Sequence, residues 1–201
     1  KRELDISLER TGAGYFDFYL LHAMNGKNAS QFEEYGLWDY FLKKKEEGVI
    51  KHLGFSFHDT PEVLDDILSR HDEAEFVQLQ INWADWENPK VQSRGCYEVA
   101  RKHGKKIIVM EPVKGGLLSD PHPDVRKVFS DGDPDASPSS WAIRFASSLD
   151  GVLTVLSGMS TMDQLSDNIK TMYNFKGLSA QEKDTIEKAR EVFSSLPSVP
   201  C

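Results

Sequence analysis

The stretch Lys106-Ile-Ile-Val-Met-Glu-Pro-Val-Lys-Gly-Gly-Leu-Leu118 joins a short apolar run to a turn that contains two adjacent glycines. The β-branched residues of the run are typical of a buried strand, and the glycines favour a turn directly after it. A helical pattern follows, because Trp141, Phe145 and Leu149 recur at a spacing of four residues. A strand, a loop and then a helix predict one βα unit of a parallel sheet.

Four other short apolar runs precede helical patterns or capping signals in the same way. They are residues 15–22, 50–56, 76–82 and 152–157. Five strands of this kind, each followed by a helix, predict an α/β fold with parallel strands.

Several helix starts carry their own signals. Thr60 before Pro61 predicts a helix with proline at its first position. Two capping boxes are also predicted, Thr161 with Gln164 and Ser179 with Glu182. Residues 130–138 are rich in turn-forming residues and predict a loop inside a βα unit rather than a linker. We therefore expect residues 1–201 to form a single domain.

Two architectures fit five βα units, an open doubly wound sheet and part of a (β/α)₈ TIM barrel. The open sheet that binds dinucleotides carries Gly-x-Gly-x-x-Gly after its first strand, whereas Ala-Met-Asn-Gly26 follows the first strand here. The glycines instead follow the last two strands, as Gly115, Gly116 and Gly158. Barrels build phosphate sites from those loops, so the glycine pattern favours the barrel.

Composition and charge exclude several classes of protein. Of the 201 residues, 24 are Lys or Arg and 32 are Asp or Glu, which gives a net charge of −8. That balance argues against nucleic-acid binding and against binding to anionic membranes. No apolar run approaches the length of a membrane span. With only two cysteines, Cys96 and Cys201, the sequence predicts a reducing, cytoplasmic location.

The chain opens within what is predicted to be an amphipathic helix. Leu4 and Leu8 share one face of it, Gly12 closes it, and no initiator methionine precedes it. We therefore expect an N-terminal part with further βα units before this helix. We also expect residues 1–201 alone to show no carbonyl reduction.

Polar residues end all five predicted strands, at the edge where parallel βα proteins place their sites. These residues are His22, Ser56 with His58, Asn82, Glu111, and Ser157 with Gly158. His22 is suited to donate to a carbonyl oxygen or to act as a general acid, and the alternative is a core histidine. The Gly115-Gly116 turn and the helix start after Ser157 both suit the phosphates of a dinucleotide.

Read together, these pieces resemble the aldo-keto reductase superfamily, from the first helix to about Glu191. The resemblance is carried by the runs 7–10 with 15–22, 48–56, 76–82, 110–118, and 157–160 with Gln164 and Asn168. It implies a (β/α)₈ barrel, with the five strands as its fourth to eighth. It also implies NADP or NAD as cofactor and a small-molecule carbonyl as substrate.

The resemblance implies specific roles for residues of this chain. His22 matches the histidine that orients and polarises the carbonyl, and Ser56 and Gln78 match residues that hold the nicotinamide amide. Met110 stands where many members have the tyrosine that stacks on the nicotinamide. The pyrophosphate loop matches Pro112, Val113, Gly115, Gly116 and Leu117. The adenosine end matches Gly158, Ser160, Gln164 and Asn168.

Some positions depart from the common family pattern. Phe57 stands where many members have asparagine beside the serine, and the chain ends Pro197-Ser-Val-Pro-Cys201. With Met110, these features are similar to a subgroup that carries a C-terminal ferredoxin-like iron–sulfur segment, of which Cys201 would be the first ligand. The family's tyrosine acid, with its lysine and aspartate, belongs to βα units that this sequence does not contain.

These residues are compatible with three functions. The first is an NAD(P)-dependent oxidoreductase that transfers hydride between the cofactor and an aldehyde or ketone. The second is a metal-dependent barrel hydrolase with His22, His58 and Glu111 as ligands, which the absence of a His-x-His motif disfavours. The third is a non-catalytic, nucleotide-binding regulatory member of the family.

Overall fold

The structure is a computed structural model that describes residues 1–196. Its strands are β1 (Phe16–Met24), β2 (Ile50–Phe57), β3 (Phe76–Gln80), β4 (Lys106–Met110) and β5 (Val152–Val155). Its helices are α1 (Arg2–Thr11), α2 (Ala29–Glu34), α3 (Leu37–Glu46), α4 (Pro61–Arg70), α5 (Ser93–Lys102), α6 (Pro123–Gly132), α7 (Pro138–Ser147), α8 (Met162–Met172) and α9 (Ala180–Ser195). A 3₁₀ turn at Lys114–Gly116 follows β4.

The strands form one sheet in the order β1-β2-β3-β4-β5. β1 pairs in parallel with β2, and β2 pairs in parallel with β3. In this register Leu21 lies opposite Phe55, and Ser56 lies opposite Gln78. The α/β fold that the sequence predicts is confirmed.

The chain divides into two compact units. The first contains residues 1–79 and 95–107, and the second contains residues 80–94 and those from Ile108 onward. Among the residues described, 1–196, no helix is both long enough and apolar enough to cross a membrane.

In the first unit, β2 and β3 approach each other closely. A Cβ added at Gly54 would lie 2.4 Å from the carbonyl oxygen of Phe76 and 2.7 Å from its ring. The side chains of Leu53, Phe55 and Val77 on these strands are fully buried. Glycine at position 54 therefore lets the backbone of β2 pack directly against a buried aromatic ring.

In the second unit, aromatic rings form the core. The Phe129 ring stacks on Trp141 at 5.2 Å between centroids and meets Trp83 edge-on at 5.5 Å. Phe193 of α9 packs edge-on against the same Trp83 ring. Arg190, also on α9, donates from Nε to the Trp83 carbonyl oxygen at 2.8 Å. These contacts fix α9 against the chain that follows β3.

The sequence placed all five strands within two residues of their observed ends. β4 matches the prediction to the residue, and α4 begins after Thr60 as predicted, although Thr60 makes no side-chain capping bond. Both capping boxes are present. β3 ends two residues before the prediction because Asn82 turns back, its Oδ1 accepting the Asp85 N–H at 2.8 Å. β5 also ends early, at Val155.

The loop predicted at residues 130–138 is wrong at both ends. Residues 130–132 complete α6, and Pro138 opens α7, so residues 133–137 alone connect the two helices. Val125 and Phe129 of α6 are buried, and this packing extends the helix into a turn-rich sequence.

The sequence analysis does not predict α2. Its six residues carry no periodic apolar pattern, and among them Ala29 alone is buried.

Candidate active site

The carboxyl end of β1 contains a bulge at the predicted catalytic histidine. The pairing of β1 with β2 shifts register between Leu21 and Met24, so His22 and Ala23 form the irregular step. Ala23 has a φ of +56°, and the His22 side chain is exposed. The His22 imidazole is therefore accessible from solvent in the part of the chain that the structure describes.

Ser56 holds this bulge from the neighbouring strand. Its Oγ accepts the N–H of Ala23 at 2.7 Å, and Ser56 is only 1% exposed. Gln78, its register partner on β3, is half-buried. The first unit thus brings Ser56 and Gln78 side by side and ties Ser56 to the residue after His22.

The loop after β1 is fastened to the loop after β2. The Asp59 carboxylate accepts the Gly26 N–H at 2.8 Å through Oδ2 and the Thr60 N–H at 2.8 Å through Oδ1. The N–H of His58 donates to the Met24 carbonyl oxygen at 3.2 Å. These contacts fix the backbone on either side of the exposed His58 side chain.

Cys96 cannot serve as a nucleophile in the first unit. It is 4% exposed, and its Sγ–H donates to the carbonyl oxygen of Asp59 at an S···O distance of 3.4 Å. Burial, followed by the nearby Glu62 and Asp59 charges, raises the pKa of the Cys96 thiol to about 12. Because the thiolate is the reactive form, this cysteine is inert at neutral pH.

In the second unit, a buried carboxylate organises the chain after β3 and β4. Asp85 is 1% exposed, and its Oδ2 accepts from the side-chain amides of Asn82 at 2.9 Å and Gln80 at 3.1 Å. Its Oδ1 accepts from Lys114 Nζ at 2.5 Å. Asn82 also donates to the Glu111 carbonyl oxygen at 3.2 Å. Sequence reasoning singled out Asn82 but missed Asp85 and Lys114, since neither ends a strand.

The predicted pyrophosphate loop follows β4 and turns sharply. Glu111, Lys114, Gly115 and Gly116 all have positive φ values, of +56°, +51°, +61° and +94°. The Gly116 N–H donates to the Val113 carbonyl oxygen at 3.0 Å, and the Gly115 N–H donates to Glu111 Oε2 at 2.6 Å. The sequence predicts that this turn suits a phosphate, whereas in the structure the chain itself supplies an acceptor to each of these two N–H groups.

The remaining residues predicted for this loop differ in exposure. Pro112 is buried, Val113 and Met110 are half-buried, and the side chain of Leu117 is 50% exposed.

The predicted adenosine end lies between β5 and α8. Gln164 Oε1 accepts the N–H groups of Ser160 at 2.7 Å and Thr161 at 3.2 Å, which is one half of the capping box. Asn168 Nδ2 donates to Ser157 Oγ at 2.9 Å. Gln164 and Asn168 therefore order the segment that contains Ser160 and the exposed Gly158.

An open cavity of about 360 Å³ borders the same segment. Its lining includes Ser157, Met159 and Asn168, together with side chains of α7, β5 and α8. Of the four residues predicted for the adenosine end, Asn168 lines this cavity.

A metal-ligand cluster is not found among residues 1–196. No group of three His, Cys, Asp or Glu side chains in this part of the chain is placed to hold an ion. The hydrolase alternative, with His22, His58 and Glu111 as ligands, has no such cluster to support it.

The order of these strands and loops matches a known family. The model of the aldo/keto reductase family matches residues 1–191, which is nearly the whole chain. The chain belongs to the aldo/keto reductase family. The resemblance drawn from the sequence motifs is confirmed.

Individual aldo/keto reductases share part of their length with this chain. An aldo-keto reductase of Mycolicibacterium vanbaalenii is 29% identical over 168 residues, which are 83% of this chain and 54% of that protein. The holo form of an aldo-keto reductase from Bacillus halodurans is 26% identical, with a TM-score of 0.75 over 94% of this chain and 63% of that one. The chain spans between about half and two thirds of the length of the curated relatives that it matches.

A third aldo/keto reductase shares the fold. The enzyme from Klebsiella pneumoniae, solved in complex with NADP and acetate, has a TM-score of 0.71 at 18% identity, over 93% of this chain and 63% of that one. These likenesses establish a partial (β/α)₈ barrel. The ending Pro197-Ser-Val-Pro-Cys201 lies outside the described residues, so the iron–sulfur segment stays a prediction.

Proposed function

We propose that this protein is an NAD(P)-linked oxidoreductase that interconverts a small aldehyde or ketone and its alcohol. The observation that carries the proposal is the family match over residues 1–191. It is supported by the position of His22, which is exposed at a bulge near the carboxyl end of β1.

The residues of the chain fit a nicotinamide dinucleotide. The N–H of Gly115 already holds a carboxylate oxygen at 2.6 Å, so the glycine turn is suited to an anionic oxygen. A Cβ at Gly116 would meet no atom within 4 Å, which leaves room for a ligand to approach the backbone. When bound, the cofactor supplies or accepts the hydride, and this is the step that the protein side chains cannot perform.

The proposed roles of the residues follow the family motifs. His22 donates a hydrogen bond to the carbonyl oxygen of the substrate and so polarises it. Ser56 and Gln78 hold the nicotinamide amide. Met110, which is half-buried, stands where many members have the tyrosine that stacks on the nicotinamide. The loop of Pro112, Val113, Gly115, Gly116 and Leu117 holds the pyrophosphate, and Gly158, Ser160, Gln164 and Asn168 hold the adenosine end.

The charge of the adenosine end bears on whether NADP or NAD binds. The segment from Gly158 to Asn168 contains no lysine or arginine, and a 2′-phosphate is usually bound by such a cation. Lys170 is exposed on the following turn of α8. The substrate is proposed only as a small carbonyl compound, and the cytoplasmic location remains a prediction from the two cysteines.

The cofactor proposal is tested by titrating NADPH and NADH against the protein while its fluorescence is followed. We expect Gly116→Val to weaken binding, because a branched side chain blocks close approach of the phosphates to the turn. Gly177→Val is the matched control, since Gly177 has a similar φ of +101° and equally open space. Equal affinity of the two variants would remove the Gly115-Gly116 turn from the cofactor site.

A non-catalytic, nucleotide-binding role is the second candidate. It predicts the same titrations but no turnover of any aldehyde or ketone by the intact gene product. Reduction of a panel of small aldehydes with NADPH or NADH would exclude it. The expectation that residues 1–201 alone are inactive is tested by assaying them beside the intact gene product.

A further inference from the structure

The pyrophosphate loop supplies the hydrogen-bond acceptors for its own backbone N–H groups from Lys114 to Leu118. The N–H groups of Lys114, Gly116, Leu117 and Leu118 donate to carbonyl oxygens of the loop at 3.0–3.1 Å. The N–H of Gly115 is different, because its acceptor is a side chain, the carboxylate of Glu111. A side-chain acceptor can rotate away, whereas the carbonyl acceptors are part of the turn itself.

Glu111 places a negative charge where a phosphate would make the same contact. Its Oε2 lies 2.6 Å from the Gly115 nitrogen, and the Glu111 residue is exposed. A carboxylate oxygen on a backbone N–H makes a charge-assisted hydrogen bond of the kind that phosphate oxygens make. The chain thus carries an internal anion on the donor proposed for the cofactor.

Lys114, the lysine of this loop, does not neutralise the Glu111 carboxylate. Lys114 Nζ lies 2.5 Å from Oδ1 of the buried Asp85, so its charge is matched by that carboxylate. Two further donors, Asn82 and Gln80, hold the other oxygen of Asp85 and keep it in place. Glu111 has no ion-pair partner among residues 1–196, so an incoming phosphate meets its negative charge at Gly115.

We propose that Glu111 is a built-in competitor for the cofactor phosphate. Its carboxylate occupies the Gly115 N–H in the free protein and must leave when the pyrophosphate binds, which lowers cofactor affinity and favours release. The inference rests on the proposed function, because it assigns this competition to the same loop. Glu111 acts on binding and is given no part in the hydride step.

The test compares Glu111→Gln with the unmodified protein. Calorimetric titrations are made with NADP⁺ and, separately, with inorganic pyrophosphate. Glutamine has the same shape but no charge, so we expect both ligands to bind about threefold to tenfold more tightly. The backbone amide resonance of Gly115 should shift in the ligand-free variant, because its acceptor loses its charge.

Asp120→Asn is the matched control for charge. Asp120 lies four residues beyond Gly116, is exposed, and pairs with Arg126. Its substitution removes the same charge from the same unit without touching the Gly115 N–H. We expect it to change either affinity less than twofold.

The outcomes separate this inference from the proposed function. If NADP⁺ binds all three proteins equally, the competition is overturned and the cofactor proposal stands. If NADP⁺ binds none of them while pyrophosphate binds Glu111→Gln more tightly, Glu111 competes with phosphate groups at this loop, but the cofactor proposal fails. If neither ligand binds any form, both are overturned.

Discussion

At the scale of single residues, side chains named from the sequence also have structural partners. Ser56 accepts the Ala23 N–H, Gln164 accepts from Ser160 and Thr161, and Asn168 donates to Ser157. Motif matching can identify such residues, because the residue types and their order are visible in the sequence. It also identified Thr161 as the partner of Gln164, because a capping box is local in sequence. It could not identify Ala23 as the partner of Ser56, because that contact depends on strand register and on a bulge. Asp85 escaped notice because it does not end a strand, and its donors Gln80, Asn82 and Lys114 come from three separate positions.

The His22 proposal makes a prediction at this scale. His22→Ala in the intact enzyme should lower turnover by about 10²–10³-fold, the usual contribution of one hydrogen-bond donor to an oxygen that becomes negative in the transition state. Cofactor affinity should hardly change, and stability should stay within about 0.5 kcal/mol because the side chain is exposed. Steady-state kinetics, NADPH titration and urea unfolding measure the three quantities.

His58→Ala is the control for that experiment. His58 is also exposed, and it follows β2 in the same unit, so it tests whether removing any histidine there lowers turnover. Turnover should be retained in His58→Ala. An equal loss in both variants would argue against a specific role for His22 and would revive the metal-site hypothesis.

At the scale of elements, apolar patterns located the strands because buried strands need consecutive apolar residues. β4 was predicted to the residue, since Lys106 begins it and Met110 is followed by the sharp turn at Glu111. α6 was not predicted, and its last turn has a sequence typical of loops. Burial of Phe129, a tertiary contact, decides the length of that helix.

A prediction about the stability of the β2–β3 pair concerns Gly54. Gly54→Ala should lower the free energy of unfolding by about 1–3 kcal/mol, because its Cβ would overlap the Phe76 carbonyl oxygen. Gly14→Ala is the matched control, since a Cβ at Gly14 meets no atom within 4 Å. Urea unfolding of both variants measures the difference. Equal stability of the two would mean that β2 and β3 can move apart at no cost.

At the scale of the whole molecule, acid stability depends on carboxylates that have partners. Burial raises the pKa of Glu182, but hydrogen bonds from Ser179 and the charge of Arg144 outweigh it, so this pKa lies below its usual value of 4.5. Because the folded pKa is depressed, the contribution to stability is present above pH 4.5 and is lost as the pH falls below it.

Glu182→Gln tests this dependence. The variant should be less stable than the unmodified protein at pH 7, because it loses the charged partner of Arg144 and weakens the capping box of α9. The difference should shrink as the pH is lowered from 4.5 towards 3. Urea unfolding at a series of pH values measures it. A difference that stays constant from pH 7 to 3 would contradict the prediction.

The buried thiol of Cys96 has a practical consequence. Since the folded chain keeps it both covered and protonated, an alkylating reagent can reach it only when the surrounding helix and loop open. With Cys201 replaced by serine, the rate of labelling would report the frequency of that opening in the first unit. The Cys96 thiol is then an intrinsic reporter of local unfolding, and no probe has to be attached to the surface.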